Sequence, residues 1–149
     1  MATHFYVDPI KVANSYGIKV EPYKEVVPDD LCGEIEKTEE GIVIRYNPMH
    51  HENRQRFTIA HELGHYLLGH LSGEESKQFR DVTRNFTSAT YNPKEVAANR
   101  MAAQILMPAD KLDFLIYKKG VTSIKELAKI MRVSEAAMLY RLKNLGWIR

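Results

Sequence analysis

"RFTIAHELGHYLLGH", Arg56 to His70, carries three of the chain's six histidines. Two of them, His61 and His65, stand four residues apart, and Glu62 adjoins the first. Advancing about 100° per residue from Phe57 gathers Ala60, Gly64, Leu67, Leu68 and Leu71 around one direction. That apolar stripe predicts an amphipathic core helix over roughly Glu52 to Gly69. His61 and His65 fall on one flank of the stripe, about 40° apart, with Glu62 further round the same side.

Imidazoles at i and i+4 can reach one metal ion at about 2.0–2.1 Å, and the adjoining glutamate can then contact a water on that ion. Zinc brings the pKa of such a water towards neutrality, and a carboxylate can take its proton and later return it to a leaving amine. The five-residue pattern alone also fits two buried histidines with ordinary hydrogen-bond partners. A third protein ligand would decide between them.

His70 would need to sit one position later for the extended histidine pattern, and Leu68 stands where that pattern has glycine. On a continuous helix it would also point away from His61, so it is set aside. Glu74, Glu75 and Asp81 lie in a polar stretch, "SGEESKQFRDVTRNFTSAT", which holds none of them in place. Glu95 opens a second long helix, predicted from Pro93 to just before Pro108. Ala98, Asn99 and Ala102 follow it at i+3, i+4 and i+7, so its face is small and suits a close approach to Gly64. The same residue could instead complement the dipole of its helix.

The remaining order is a small sheet followed by helices. Asp8-Pro9 starts a short helix that Gly17 ends. "IKVEPY" reads as a strand with Pro22 at a sheet edge. "LCGEIEKTEEGIVIRYNP" reads as a hairpin turning at Glu39 to Gly41. The Ile42–Tyr46 strand is either ordinary core or an edge that could accept an extended peptide. Pro108 starts a third helix to about Lys118, and two more helices flank a turn at Arg132-Val133. We expect an α+β fold: a small, mainly antiparallel sheet packed on a helical core, with a helix-turn-helix-like C-terminal end. The 149 residues suit one domain, with the helical pair at about 121–146 inside it.

The single cysteine, Cys32, excludes an internal disulfide framework and fits a reducing compartment. The N-terminal residues do not read as a signal peptide, and no apolar run approaches a membrane span. A cytoplasmic location is expected. Charge is uneven: residues 20–40 hold eight acidic and two basic side chains, whereas residues 111–149 hold nine basic and three acidic. That basic end raises nucleic acid as a partner. Its second helix, however, would start Ser134-Glu135-Ala136-Ala137 where base-reading side chains are needed. Leu127, Ile130, Val133, Met138, Leu139 and Leu142 read more simply as core. Specific DNA binding is therefore not expected, although Arg141 and Lys143 could attract nucleic acid weakly.

"RFTIAHELGHYLLGH" followed by "EVAANRMAAQILMP" resembles the ImmA/IrrE family of bacterial metallopeptidases, and "ELAKIMRVSEAAMLYRLKNLG" resembles its helical end. The resemblance covers roughly residues 10 to 146. Met101 stands where the family often has phenylalanine. Carried over residue by residue, the resemblance implies Zn²⁺ held by His61, His65 and Glu95, with Glu62 as the catalytic glutamate. It further implies site-specific cleavage of a helix-turn-helix transcriptional repressor, an antirepressor role in a phage, mobile element or stress response. The rival expectation is a non-proteolytic regulator that binds DNA or a repressor and carries a structural zinc. Tyr66 and Tyr91 are candidates for assisting an oxyanion.

Overall fold

The computed structural model describes residues 5–73, 78–87 and 90–148. Among them the chain runs α1 (Pro9–Ser15), β1 (Lys19–Pro22), β2 (Leu31–Thr38), β3 (Gly41–Tyr46), α2 (Glu52–Leu67), β4 (Gln78–Val82), α3 (Pro93–Leu106), α4 (Ala109–Asp113), α5 (Ile124–Met131) and α6 (Glu135–Asn144). A 3₁₀ turn at Thr83–Phe86 follows β4, and a π-type turn at Phe114–Lys118 extends α4. This is the expected α+β arrangement with a helical C-terminal end. No helix among the described residues is long and apolar enough to cross a membrane.

Local chemistry explains the ends of these elements. The Asp8 side chain accepts from the Ile10 amide and Pro9 occupies the first turn, so α1 starts there. Asn92 and Pro93 do the same for α3. Ser123 and Ser134 cap α5 and α6. Between those two, Arg132 takes the left-handed conformation, φ 55°, a position where glycine would be unstrained. Its surroundings hold it there. Its carbonyl accepts from Arg56 Nε at 3.1 Å, and its guanidinium lies over the Tyr6 ring, 4.1 Å from the centroid.

The sheet order is β1-β3-β2-β4, with β1 parallel to β3 and the other two pairings antiparallel. Pro22 therefore does sit in an edge strand. β3 lies between β1 and β2, so it has no free edge for a peptide, and the strand-addition option raised for Ile42–Tyr46 is overturned. One sheet face is polar: Arg45 Nη1 donates to Glu34 at 2.7 Å and to Glu36 at 3.1 Å. From the other, Ile35 and Ile44 pack with Ile18, Ile59 and Leu63, filling the space between sheet, α1 and α2. A second core joins α3 and α4 to α5 and α6 through Leu106, Met107, Leu112, Leu127, Met131 and Met138. α2 lies between the two cores.

The polar stretch after α2 is not loose. Gln78–Val82 forms β4, paired with β2 in the register Ile35↔Phe79 and Gly33↔Asp81. Only Phe79 and Val82 in this strand are apolar, so no alternating apolar pattern announces it. Glu74 and Glu75 lie outside the described residues. At the C-terminal end, Leu127, Val133, Met138 and Leu142 are buried as expected, whereas Leu139 is exposed. Arg141 is buried and its Nε donates to the Met107 carbonyl at 2.9 Å. It therefore ties α6 to the end of α3 and does not present a charge to nucleic acid.

Candidate metal centre

His61, Glu62 and His65 share the middle of α2, and all three are completely buried. The approach of α3 that places Glu95 beside them depends on small residues. A Cβ on Gly64 would come 3.1 Å from the Ala98 carbonyl oxygen and 3.3 Å from Met101 Cβ. Ala98 and Ala102 are themselves fully buried. The small-face expectation thus matches the packing, and Glu95, in the first turn of α3, reaches the histidine pair. Glu95 Oε1 lies 3.0 Å from His61 Nε2 and 2.7 Å from His65 Nε2.

A second carboxylate, set aside in the sequence as lying in a stretch that holds nothing in place, is held here after all. Asp81, on β4, is fully buried and its Oδ2 lies 3.4 Å from the Nε2 atoms of both histidines. The same strand and the turn after it frame the imidazoles. Phe79 stacks on His65 with centroids 4.1 Å apart, and Phe86 meets His61 at 4.6 Å. Asn99 Nδ2 donates to the Asn85 carbonyl at 2.8 Å, fastening that turn to α3. The available signal was the i, i+2 spacing of Phe79 and Asp81, which puts both on one face of a strand.

His70 is also closer to the site than helical phase implies. α2 ends at Leu67, and Gly69 takes φ 78°. The chain doubles back, so the wheel that sends His70 to the far side no longer applies. His70 Nδ1 lies 2.8 Å from His65 Nδ1. This contact leaves His65 Nε2 facing the carboxylates. Tyr66 instead meets Tyr16 edge-on, with centroids 6.0 Å apart, and Tyr91 is exposed. Cys32 is buried, and burial pushes its thiol up to about 11, so it is not a poised nucleophile.

The electrostatics of this cluster suit a cation. Burial first, and then the Asp81 charge, raise the Glu62 carboxyl well above its usual range. Burial also pushes Asp81 up, but the approach of His61 and His65 to its Oδ2 outweighs it and holds that carboxyl below the ordinary value. Burial lowers His61, yet Asp81 and Glu95 together raise it above an ordinary histidine. Both oxygens of Glu62, both of Asp81, and His65 Nε2 lack a hydrogen bond of good geometry. Orphaned, buried oxygen and nitrogen donors converging on one point are the donor set of a divalent metal. One ligand atom each from His61, Glu62, His65 and Asp81 lies within 4.8 Å of the others. A surface cavity of about 280 Å³, lined by Tyr6, Asp8, Glu52, Arg56 and Arg132 among others, shares no residue with this cluster.

A His-Glu-x-x-His helix meeting carboxylates from a neighbouring helix and strand defines a metallopeptidase-type centre. Residues 15–143 match the peptidase family described as the IrrE N-terminal-like domain, and the chain belongs to that family. Its relatives include the radiation response metalloprotease IrrE of Deinococcus deserti, 34% identical over 109 residues. That alignment takes in 65% of this chain and 37% of the relative. The protein of the same name from Deinococcus radiodurans is 34% identical over 107 residues, covering 67% of this chain and 30% of the relative. The chain thus spans about a third of the length of the curated relatives it matches.

Proposed function

We propose that the chain is a zinc-dependent endopeptidase in which His61, His65 and Glu95 hold the metal and Glu62 is the general base and then the general acid. The observation that carries this reading is the meeting of Glu95 Oε1 with both imidazole Nε2 atoms, 3.0 and 2.7 Å away, beside a buried Glu62 whose oxygens have no hydrogen bond of good geometry. When bound, zinc would supply a Lewis acid and a water acidified towards neutral pH. Glu62 would take a proton from that water and deliver it to the departing amine nitrogen. The burial that raises Glu62 suits this second role, because it favours the protonated form. His61 and His65 act as neutral donors through Nε2. Phe79 and Phe86 restrict their rotation and exclude bulk water.

For the substrate, the ImmA/IrrE resemblance supports a helix-turn-helix transcriptional repressor cut at one site in the cytoplasm. It equally supports an antirepressor role in a phage, mobile element or stress response. The experiment incubates such a repressor, encoded beside this gene, with wild type, Glu62→Gln, Glu95→Ala and chelator-treated wild type. Fragments are read by mass spectrometry and zinc by elemental analysis. Glu62→Gln should keep about one zinc per chain and lose about 10²–10⁴-fold in rate. Glu95→Ala should lose the zinc itself. Full occupancy in Glu95→Ala would remove it as a ligand. A repressor bound equally by wild type and Glu62→Gln but left intact would replace the peptidase with a binding regulator.

A further inference from the structure

Asp81 is a carboxylate without an assignment, and its placement is specific. It is fully buried, neither oxygen has a hydrogen bond of good geometry, and Oδ2 is equidistant, at 3.4 Å, from the two imidazole nitrogens aimed into the cluster. Four ligands arranged tetrahedrally at about 2.0–2.1 Å from a zinc lie about 3.3–3.4 Å from one another. Asp81 Oδ2 therefore stands from His61 and His65 at the separation expected of a fellow ligand. Glu95 Oε1 approaches the same two nitrogens more closely, at 3.0 and 2.7 Å.

We propose that Asp81 is a fourth, exchangeable metal ligand that closes the centre in the resting chain and must withdraw before a substrate or its water can enter. The proposal rests on the metal site argued above. Catalytic zinc sites keep one position open, whereas four protein ligands fill the sphere. Two features separate this arrangement from a permanently closed structural site. Glu62 lies beside the cluster with neither carboxylate oxygen in a hydrogen bond of good geometry, so a water or substrate group entering there would meet a proton acceptor. Asp81 is also carried by an edge strand of the sheet. β4 is the last strand in the order β1-β3-β2-β4 and is bonded within the sheet to β2 alone. Its register slips between Leu31 and Gly33, at the point where Asp81 pairs. Edge strands with interrupted ladders open at lower free energy than central ones. The latch is thus a carboxylate on a releasable strand, while the three retained ligands sit on packed helices.

The test replaces the metal with Co²⁺ in wild type, Asp81→Asn and Asp81→Ala. Fold is checked by circular dichroism and metal content by elemental analysis. Acetohydroxamate, a chelating anion that needs an open coordination position, is then titrated against the visible absorption of cobalt. All three proteins should hold about one cobalt per chain, and both variants should half-saturate at a concentration at least about tenfold lower than wild type. The near-isosteric Asn keeps the comparison sound if Ala disturbs the strand. Half-saturation equal within about twofold overturns the latch, because no closed state then taxes binding. Loss of cobalt from a folded Asp81→Asn also overturns it, because an exchangeable ligand is dispensable for retention. A wild type that takes up no cobalt overturns the latch and the proposed peptidase together, a failure distinct from the first two.

Discussion

At the scale of single residues, the orientation of His65 depends on a partner outside its helix. As the proposed metal ligand, His65 would offer its lone pair at Nε2, which would put its proton on Nδ1. His70 Nδ1, 2.8 Å away, is then the acceptor, which requires His70 to be neutral. Burial lowers His70 below an ordinary histidine, which favours that state. Removing an outer partner of this kind typically weakens metal affinity by about 10- to 100-fold. His70→Ala is therefore expected to keep one metal per chain at saturation but to lose affinity by that factor in a competition titration against a chromogenic chelator. Unchanged affinity would show that the His65 ring is held by Phe79 stacking alone. His61, Glu62 and His65 were legible because their spacing acts within one helix. His70 was not, because Gly69 reverses the chain where a wheel assumes it continues. Asp81 was not, because a polar segment gave no reason to expect a strand.

At the scale of elements, the site depends on how closely α2 lies over the sheet, and Gly33 sets that distance. A Cβ on Gly33 would fall 2.5 Å from the Arg45 carbonyl oxygen on β3 and 2.5 Å from Thr58 Cγ2 on α2. Neither neighbour can yield without moving backbone or the buried Thr58. Gly33→Ala is expected to destabilise the protein by about 1–3 kcal/mol, as overpacking does, in a urea titration with an unchanged slope. A loss under about 0.5 kcal/mol would mean that α2 has slack over β2. The hairpin and its turn were readable from alternation and Glu39–Gly41, and both long helices from apolar period and capping residues. β4 was not readable, because its one fully buried side chain is charged and apolar periodicity cannot register it. A strand whose inward side chain serves chemistry lacks the signal by which strands are found.

At the scale of the whole molecule, the centre places Glu62, Asp81, Glu95 and two histidines at the junction of the sheet and the helices, where α2, α3 and β4 all meet. Burial and the neighbouring Asp81 charge raise Glu62, whereas His61 and His65 hold Asp81 down. A bound divalent ion compensates these carboxylates and, by binding the folded state alone, stabilises it. At a free concentration about 1,000 times its dissociation constant, the gain is about 4 kcal/mol. For a chain of this length each kcal/mol moves Tm by about 2–4 °C, so stripping the metal should lower Tm by about 8–16 °C. α5 and α6 share the core of α3, and Arg56 and Arg141 tie them to the body through the Met131, Arg132 and Met107 carbonyls. One thermal transition is accordingly expected with and without metal, monitored by circular dichroism before and after dialysis against chelator. The control is His61→Ala/His65→Ala, whose Tm should not respond to chelator. A wild-type shift below about 2 °C would mean that the buried carboxylates are satisfied by protons and not by a tightly held ion.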